Sequence, residues 1–129
     1  MLIHHGVRGS IPSSNFETTK YGGNTPCIEI ITDKIQIIFD CGSGFSKVKF
    51  AEKIPTIIFL SHFHHDHIQG LPFNEFNVKN SKPIFLTNGV YKNNILKDIL
   101  SKYLSPPYFP IDFIKENNVI KFIDFDEIA

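Results

Sequence analysis

The sequence predicts an α/β fold in which helices cover the outer face of a mixed sheet. Two observations indicate this fold. Short runs rich in Ile dominate the first half, and apolar residues recur at helical spacing in the second half. At 129 residues, the chain has room for one domain with one core. We therefore expect residues 1–129 to form a single domain.

Six segments are predicted as strands because they are short, apolar or alternating, and bounded by turn residues. They are residues 2–7, 27–32, 35–39, 57–60, 82–87 and 119–125. The second and third segments join as a hairpin, in which Glu29 and Gln36 interrupt otherwise apolar strands. The fourth is a continuous apolar run, which is typical of a central strand covered on both faces.

Two segments are predicted as helices. Residues 45–53 show a short, weak helical pattern after a glycine-rich turn. In residues 95–104, apolar side chains recur at helical spacing, and Pro106 with Pro107 ends that helix. Asn88 precedes this second helix, and we predict that it caps the helix start.

Charge and composition limit the classes of function. The 13 basic and 13 acidic residues give a formal net charge of zero, so no global basic surface would hold nucleic acid by counterion release. This weighs against a nucleic-acid partner. The sequence shows no signal core and no apolar run that approaches a membrane span, which predicts a cytoplasmic protein without a membrane partner. Cys27 and Cys41 are expected to be reduced thiols packed in the core.

The strongest functional signal is a polar segment directly after the predicted central strand. It contains four of the six histidines and one carboxylate, as His62, His64, His65, Asp66 and His67. Because residues two apart on an extended chain project together, His62 and His64 are expected to form one pair. Asp66 and His67 follow as a second pair. Imidazole and carboxylate groups are ligands for zinc and also suit manganese and iron. A solvated histidine cluster, or histidines buried in the core, is the alternative.

Two residues outside this segment are weaker candidates. Asp40 ends the strand before the second glycine turn, and its carboxylate is a candidate to orient a metal-binding imidazole; capping of the turn is the alternative. Arg8 lies in an early glycine-containing loop, and its guanidinium would match a substrate phosphate; a surface ion pair is the alternative. His4 and His5 occupy first-strand positions, and we do not expect them to bind a metal.

The spacing H-x-H-x-D-H in the histidine segment resembles the signature loop of the metallo-β-lactamase superfamily. Further stretches are similar to a bacterial branch that is grouped with phosphoribosyl cyclic phosphodiesterase and ribonuclease Z. They are residues 6–12, 21–25, 39–44, 68–73 and 106–110. The resemblance implies an αββα sandwich, of which this chain would be a truncated N-terminal half.

The resemblance also implies a site and a reaction. His62 and His64 would hold one zinc ion, while Asp66 and His67 would hold a second ion and take part in catalysis. The implied protein is a metal-dependent hydrolase that directs a metal-bound hydroxide at a small phosphodiester. The family's other ligands are a histidine, an aspartate and a histidine further along the chain, and no histidine follows His67 here.

Two alternatives follow from this incomplete ligand set. In the first, the chain is a catalytically incomplete half-domain that binds metal weakly. In the second, a second copy of the chain in a homodimer, or a different partner chain, completes the site. Under either alternative, half of a sandwich is expected to expose an apolar sheet face larger than that of an ordinary soluble monomer.

Overall fold

The computed structural model describes residues 1–75 and 82–128. Within these residues, six strands form one sheet in the order in which they occur in the chain. The strands are β1 (Leu2–Gly6), β2 (Cys27–Ile31), β3 (Gln36–Phe39), β4 (Thr56–Leu60), β5 (Ile84–Asn88) and β6 (Ile120–Phe122). Each corresponds to a predicted strand, although the last is shorter than residues 119–125.

The sheet is mixed, and the predicted fold class is confirmed. β1, β2 and β3 pair antiparallel, whereas β3, β4, β5 and β6 pair parallel. The hairpin between β2 and β3 closes where Thr32 N–H donates to Ile35 O at 3.0 Å. Because β3 and β4 are parallel neighbours, their carboxyl ends lie at the same edge of the sheet. Asp40 and the histidine segment follow these two ends.

Three α-helices lie within the described residues. They are α1 (His65–Ile68), α2 (Asn93–Tyr103) and α3 (Phe113–Glu116). α2 is the predicted amphipathic helix, and Leu96 and Leu100 anchor it in the core. Short 3₁₀ turns cover Phe16–Thr18, Ser43–Lys47, Leu71–Phe73 and Phe125–Glu127. Among the described segments, no helix is long and apolar enough to cross a membrane.

The predicted helix at residues 45–53 is wrong. A 3₁₀ turn ends there at Lys47, and Val48 is extended with φ −68° and ψ 132°. Phe45 and Val48 are both buried in the core. A 3₁₀ turn has three residues per turn, so it places Phe45 and Val48 on the same side of the chain, where both are buried.

The predicted cap at Asn88 is also wrong. Asn88 Oδ1 accepts from the N–H groups of Val90 and Tyr91, and so closes a local turn before the helix. The N–H of Asn93, at the start of α2, donates to Asp124 Oδ1 at 2.6 Å. The carboxylate that satisfies this end of the helix therefore comes from beyond β6.

The helices cover one face of the sheet, and the opposite face is apolar. On the covered face, side chains such as Ile38, Ile58 and Leu86 form the core with α2. On the other face, the strand register aligns Leu2, Ile30, Ile37, Ile57 and Phe85 in one row. Leu2 is 59% exposed. An apolar and partly exposed face is therefore present, and its size relative to that of other soluble proteins stays a prediction.

The two cysteines are buried free thiols, as the sequence predicts. Burial raises the pKa of Cys27 to about 12 and raises the pKa of Cys41 well above its usual value. Both thiols are therefore protonated at neutral pH, which is the form that neither attacks a substrate nor binds a metal.

Candidate metal centre

The histidine segment lies where β4 ends, and it turns into α1 at His65. It packs on the loop after β3, where Cys41 N–H donates to His67 O at 2.7 Å. The two loops approach so closely that glycine is required, because a Cβ at Gly70 would lie 1.9 Å from Gly42 O. The fold thus holds the histidine segment against the carboxyl end of β3.

Three imidazole rings of this segment form one cluster. The ring centroids of His62 and His64 lie 4.4 Å apart, and those of His62 and His67 lie 4.1 Å apart. The extended backbone projects His62 and His64 together, and the turn into α1 returns His67 to the same place. Asp66 joins the cluster, with its Oδ2 3.5 Å from His67 Nε2. The structure therefore brings the four predicted ligands together.

The Asp40 carboxylate connects the ends of β3 and β4. Its Oδ1 accepts from Ser61 N–H at 2.7 Å, and its Oδ2 accepts from the Ser61 hydroxyl at 2.7 Å and from His67 Nδ1–H at 2.8 Å. Asp40 adopts a φ of 62°, which is uncommon for a residue with a side chain. These contacts hold it there. Asp40 lies one hydrogen bond from His67, and its role toward a metal stays a prediction.

The same hydrogen bonds determine which nitrogen of two imidazoles carries the proton. His67 donates from Nδ1 to a carboxylate, so its Nε2 keeps the lone pair. The Ser61 hydroxyl already donates to Asp40, and it therefore accepts from His62 Nδ1–H at 2.9 Å. His62 Nε2 also keeps its lone pair. When the rings are neutral, both imidazoles therefore present Nε2, and this is the form that binds a metal.

Asp66 is held by the loop after β1. Ser10 N–H donates to Asp66 Oδ2 at 2.9 Å. This hydrogen bond, together with the positive charge of His67 and His64, lowers the pKa of Asp66 below its usual value of 3.8 although partial desolvation opposes the shift. The carboxylate is therefore ionised at neutral pH and is ready to act as a ligand.

The donor atoms fit a divalent cation in kind, but the described residues supply only part of a coordination shell. The donors are two pairs, His62 with His64 and Asp66 with His67. In residues 1–75 and 82–128, no three His, Cys, Asp or Glu side chains are arranged so that they could hold a metal ion. A structural or catalytic zinc normally has at least three protein ligands. Each pair therefore needs further ligands.

The remaining candidates have other partners in the structure. Arg8 braces its own loop, because its Nε donates to Ile11 O at 2.7 Å, and a contact with substrate phosphate stays a prediction. His5 Nε2 lies 2.7 Å from Glu29 Oε2, and His4 is exposed on β1. Asp40 therefore contacts the histidine cluster directly, through His67. Arg8 does not, but Ser10 in the same loop donates to Asp66.

Two side-chain contacts of the site were not predicted from the sequence. The Ser61 hydroxyl links Asp40 to His62, and its only signal is its position between the strand and the first histidine. Tyr103, the last residue of α2, contacts His65 Nδ1 through its hydroxyl. Burial raises the pKa of Tyr103, so the phenol stays protonated. Helical spacing predicts Tyr103 as a packing residue, and its contact with His65 joins residues 38 positions apart.

Comparison with known proteins shows similarity by sequence to a ribonuclease Z. Ribonuclease Z from Picrophilus torridus is 38% identical over 71 residues, which cover 52% of this chain and 21% of that protein. No family model matches the chain. The sequence similarity is therefore limited to about half of this chain.

Two solved structures resemble nearly the whole chain. The metallo-β-lactamase fold protein YhfI from Bacillus subtilis gives a TM-score of 0.56 at 21% identity, over 96% of this chain and 46% of that chain. The short form of human tRNase Z gives a TM-score of 0.56 at 18% identity, over 95% of this chain and 44% of that chain. This chain therefore has the metallo-β-lactamase fold, over a length that corresponds to less than half of either solved structure.

Proposed function

We propose that this chain carries metal ligands of a hydrolase that cleaves phosphodiesters. The proposed ligands are two pairs, His62 with His64 for one ion and Asp66 with His67 for a second. The observation that carries the proposal is the hydrogen-bond network of Asp40 and Ser61. That network turns the outer nitrogens of two clustered imidazoles into acceptors beside an ionised carboxylate. We propose zinc as the ion, and manganese or iron would suit the same donors.

A zinc ion, when bound, lowers the pKa of a coordinated water to about 7 and polarises a phosphoryl oxygen. The residues of the chain keep the ligands ready for it. Asp40 keeps the proton on His67 Nδ1, and Ser61 keeps the proton on His62 Nδ1. Asp66 supplies negative charge beside His67. We therefore propose Asp66 and His67 as the catalytic pair, because their donor atoms lie together and both are held by second hydrogen bonds.

The proposed substrate is a phosphodiester, and two observations bear on its size. The formal net charge of zero favours a small phosphodiester over a long nucleic acid. Two of the proteins that the chain resembles are named ribonuclease Z and tRNase Z, which favours RNA. We also propose that residues 1–129 are the N-terminal part of a metallo-β-lactamase-like domain. The proposed location of the protein is the cytoplasm.

A second candidate is a half-site that acts only when another polypeptide completes it. The lack of a three-donor group among the described residues favours this candidate. The apolar sheet face opposite the helices also favours it, because a second copy or a partner chain would cover that face. Such a chain would bind metal weakly and would turn over substrate only in the assembly.

Metal content and turnover distinguish the two candidates. The purified chain is loaded with Zn²⁺, desalted, and assayed for bound metal and for hydrolysis of bis(4-nitrophenyl) phosphate, a 2′,3′-cyclic nucleotide and a short RNA. Stoichiometric zinc and chelator-sensitive turnover that is first order in the chain support the hydrolase. Turnover that rises with the square of the chain concentration supports a site completed by a second copy. Metal content and turnover both at background would overturn the hydrolase proposal for this chain alone.

A matched pair of histidine variants makes this test specific. His67→Ala removes a proposed ligand and is expected to weaken zinc binding more than the roughly 10- to 100-fold loss that is typical for outer hydrogen-bond partners of a metal site. His4→Ala removes an exposed histidine of β1 and is expected to bind zinc as the wild type does. Equal losses in the two variants would show that zinc binds to histidines at random.

A further inference from the structure

A backbone contact joins the first loop of the chain to the candidate metal centre. Ser10 N–H donates to Asp66 Oδ2 at 2.9 Å, although 56 positions separate the two residues in the sequence. The same carboxylate oxygen lies 3.5 Å from His67 Nε2. The loop after β1 therefore fixes the Asp66 oxygen that lies beside the outer nitrogen of His67.

The conformation of Ser10 is set by its neighbours in the loop. Ser10 adopts a φ of 70°, in the left-handed region that residues with a side chain rarely occupy. The guanidinium of Arg8 spans this residue, because Arg8 Nε donates to Ile11 O at 2.7 Å. Ile11 N–H also donates to Gly9 O at 3.0 Å. These two hydrogen bonds close the loop around Ser10 and offset the cost of its backbone conformation.

The loop is in turn attached to the segment before β2. The N–H groups of Val7 and Arg8 both donate to Asn24 O, at 3.1 and 3.0 Å. The chain passes close to this segment, since a Cβ at Gly6 would lie 1.9 Å from Thr25 O. Hydrogen bonds therefore connect the segment before β2 to the loop, and the loop to Asp66.

We infer that Arg8 and Ser10 are positioning residues for Asp66, an inference that rests on the proposed metal site. Asp66 lies in the first turn of α1, where rotation about its Cα–Cβ bond would carry the carboxylate away from His67. Ser10 N–H selects the orientation that keeps Oδ2 beside His67 Nε2. Arg8 acts through the loop, because it holds the Ile11 carbonyl and thereby the peptide of Ser10. This role differs from a contact between Arg8 and substrate phosphate.

The hydrogen bond itself is tested in the metal-free chain. The rate of amide hydrogen exchange at Ser10 is measured by NMR in the wild type, in Asp66→Ala and in Asp33→Ala, which removes a carboxylate from the turn between β2 and β3. We expect exchange at Ser10 to be faster by about 10-fold in Asp66→Ala and unchanged in Asp33→Ala. An unchanged rate in Asp66→Ala would overturn the inference without involving any metal.

The positioning role is tested with Co²⁺, whose visible absorption reports binding directly. Arg8→Ala and Ser10→Val are expected to weaken Co²⁺ binding by about 10-fold, because the first removes the brace and the second disfavours a positive φ. Ser10→Gly keeps the N–H and accepts a positive φ, so it should bind Co²⁺ at least as tightly as the wild type. Lys34→Ala removes a cation from a distant turn and serves as the control for charge.

A double variant separates positioning from general loosening of the fold. If Arg8 acts through Asp66, Arg8→Ala should cause no further loss of Co²⁺ affinity in an Asp66→Asn chain. Equal losses in both backgrounds would overturn the inference. Absence of Co²⁺ binding by the wild type would overturn the proposed metal site, whereas a Ser10 exchange rate that depends on Asp66 would still establish the contact between the loop and the carboxylate.

Discussion

Two histidine–carboxylate pairs have nearly equal lengths, and one lies between β1 and β2 while the other belongs to the candidate metal centre. His67 Nδ1 lies 2.8 Å from Asp40 Oδ2, and His5 Nε2 lies 2.7 Å from Glu29 Oε2. The four side chains are between 6% and 18% exposed. Length and burial therefore do not distinguish a pair at the proposed metal site from a pair that joins two strands.

The nitrogen that each histidine uses does distinguish the pairs. His67 uses Nδ1, the nitrogen nearer its backbone, so Nε2 at the outer end of the ring faces Asp66. His5 uses Nε2, so Glu29 occupies the outer end of its ring. An imidazole reaches a metal most readily through its outer nitrogen when a carboxylate holds the inner one. The His67 pair meets this condition and the His5 pair does not.

The carboxylates also differ in their other partners. Glu29 Oε1 accepts from Gln36 Nε2 at 2.6 Å, and Gln36 Oε1 accepts from the Thr56 hydroxyl at 2.6 Å. This buried network crosses from β1 to β4 on the helix-covered face of the sheet. Asp40 instead directs its hydrogen bonds to Ser61 and His67, at the edge where the histidines cluster. One network joins strands, and the other orients side chains.

The largest expected contrast comes from removing the Asp40 carboxylate. In Asp40→Ala, His67 Nδ1 and the Ser61 hydroxyl lose their acceptor, so neither imidazole is held in the metal-binding form. We expect metal affinity to fall by roughly 10- to 100-fold, as for other outer-shell partners of metal ligands. Competition of Zn²⁺ between the chain and a fluorescent chelator measures this change. Asp33→Ala, in the turn before β3, is the control, and an Asp40 variant with wild-type affinity would remove the distinction between the two pairs.

Local spacing in the sequence predicted the histidine cluster of the candidate metal centre. The pairing of His62 with His64 follows from an extended backbone, and their position at the end of a central strand follows from an apolar run. The position of Asp40 beside the histidine segment was predicted from the order of elements, but the imidazole that it contacts was not. Ser10 was missed because its donor is a backbone N–H, which every residue except proline possesses.

The errors have the same physical origin. Asn88 has the composition of a helix cap, but it stabilises a local turn, and Asp124 meets the start of α2 from 31 positions away. Tyr103 has the spacing of a packing residue, but its hydroxyl reaches His65. Contacts between residues far apart in the chain override local preference, and one sequence carries no signal for them.

Removal of the Glu29 side chain should lower the stability of the fold and should not change metal affinity. Glu29→Ala removes the partner of His5 and one of the two acceptors of the buried Gln36 amide, which also donates to Lys49 O at 2.9 Å. We expect the free energy of unfolding to fall by about 1–3 kcal/mol, because buried donors would lose their partners. Zn²⁺ affinity should not change in the folded variant. Urea unfolding and chelator competition measure the two quantities, with exposed Glu52→Ala as the control. A loss of zinc affinity equal to that of Asp40→Ala would show that the two networks act as one.

The smallest expected effect is the pH dependence of the contact between Asp66 and the first loop. Ser10 N–H, with the nearby positive charge of His67 and His64, keeps the pKa of Asp66 below 3.8 in the folded chain. The folded chain therefore binds this proton less readily than the unfolded chain does. The ionised carboxylate contributes stability above about pH 4, and this contribution is lost as the pH falls through the lowered pKa.

Asp66→Asn lacks this titration and provides the comparison. The difference in free energy of unfolding between the wild type and Asp66→Asn should be fully present at about pH 5 and should shrink as the pH falls through the lowered pKa of Asp66. Solvent screens a partly exposed carboxylate, so the change should be small. In an Arg8→Ala background the loop holds Ser10 less firmly, and the change should be smaller still. A difference that stays the same down to acid unfolding would mean that the Ser10 contact does not favour the ionised carboxylate.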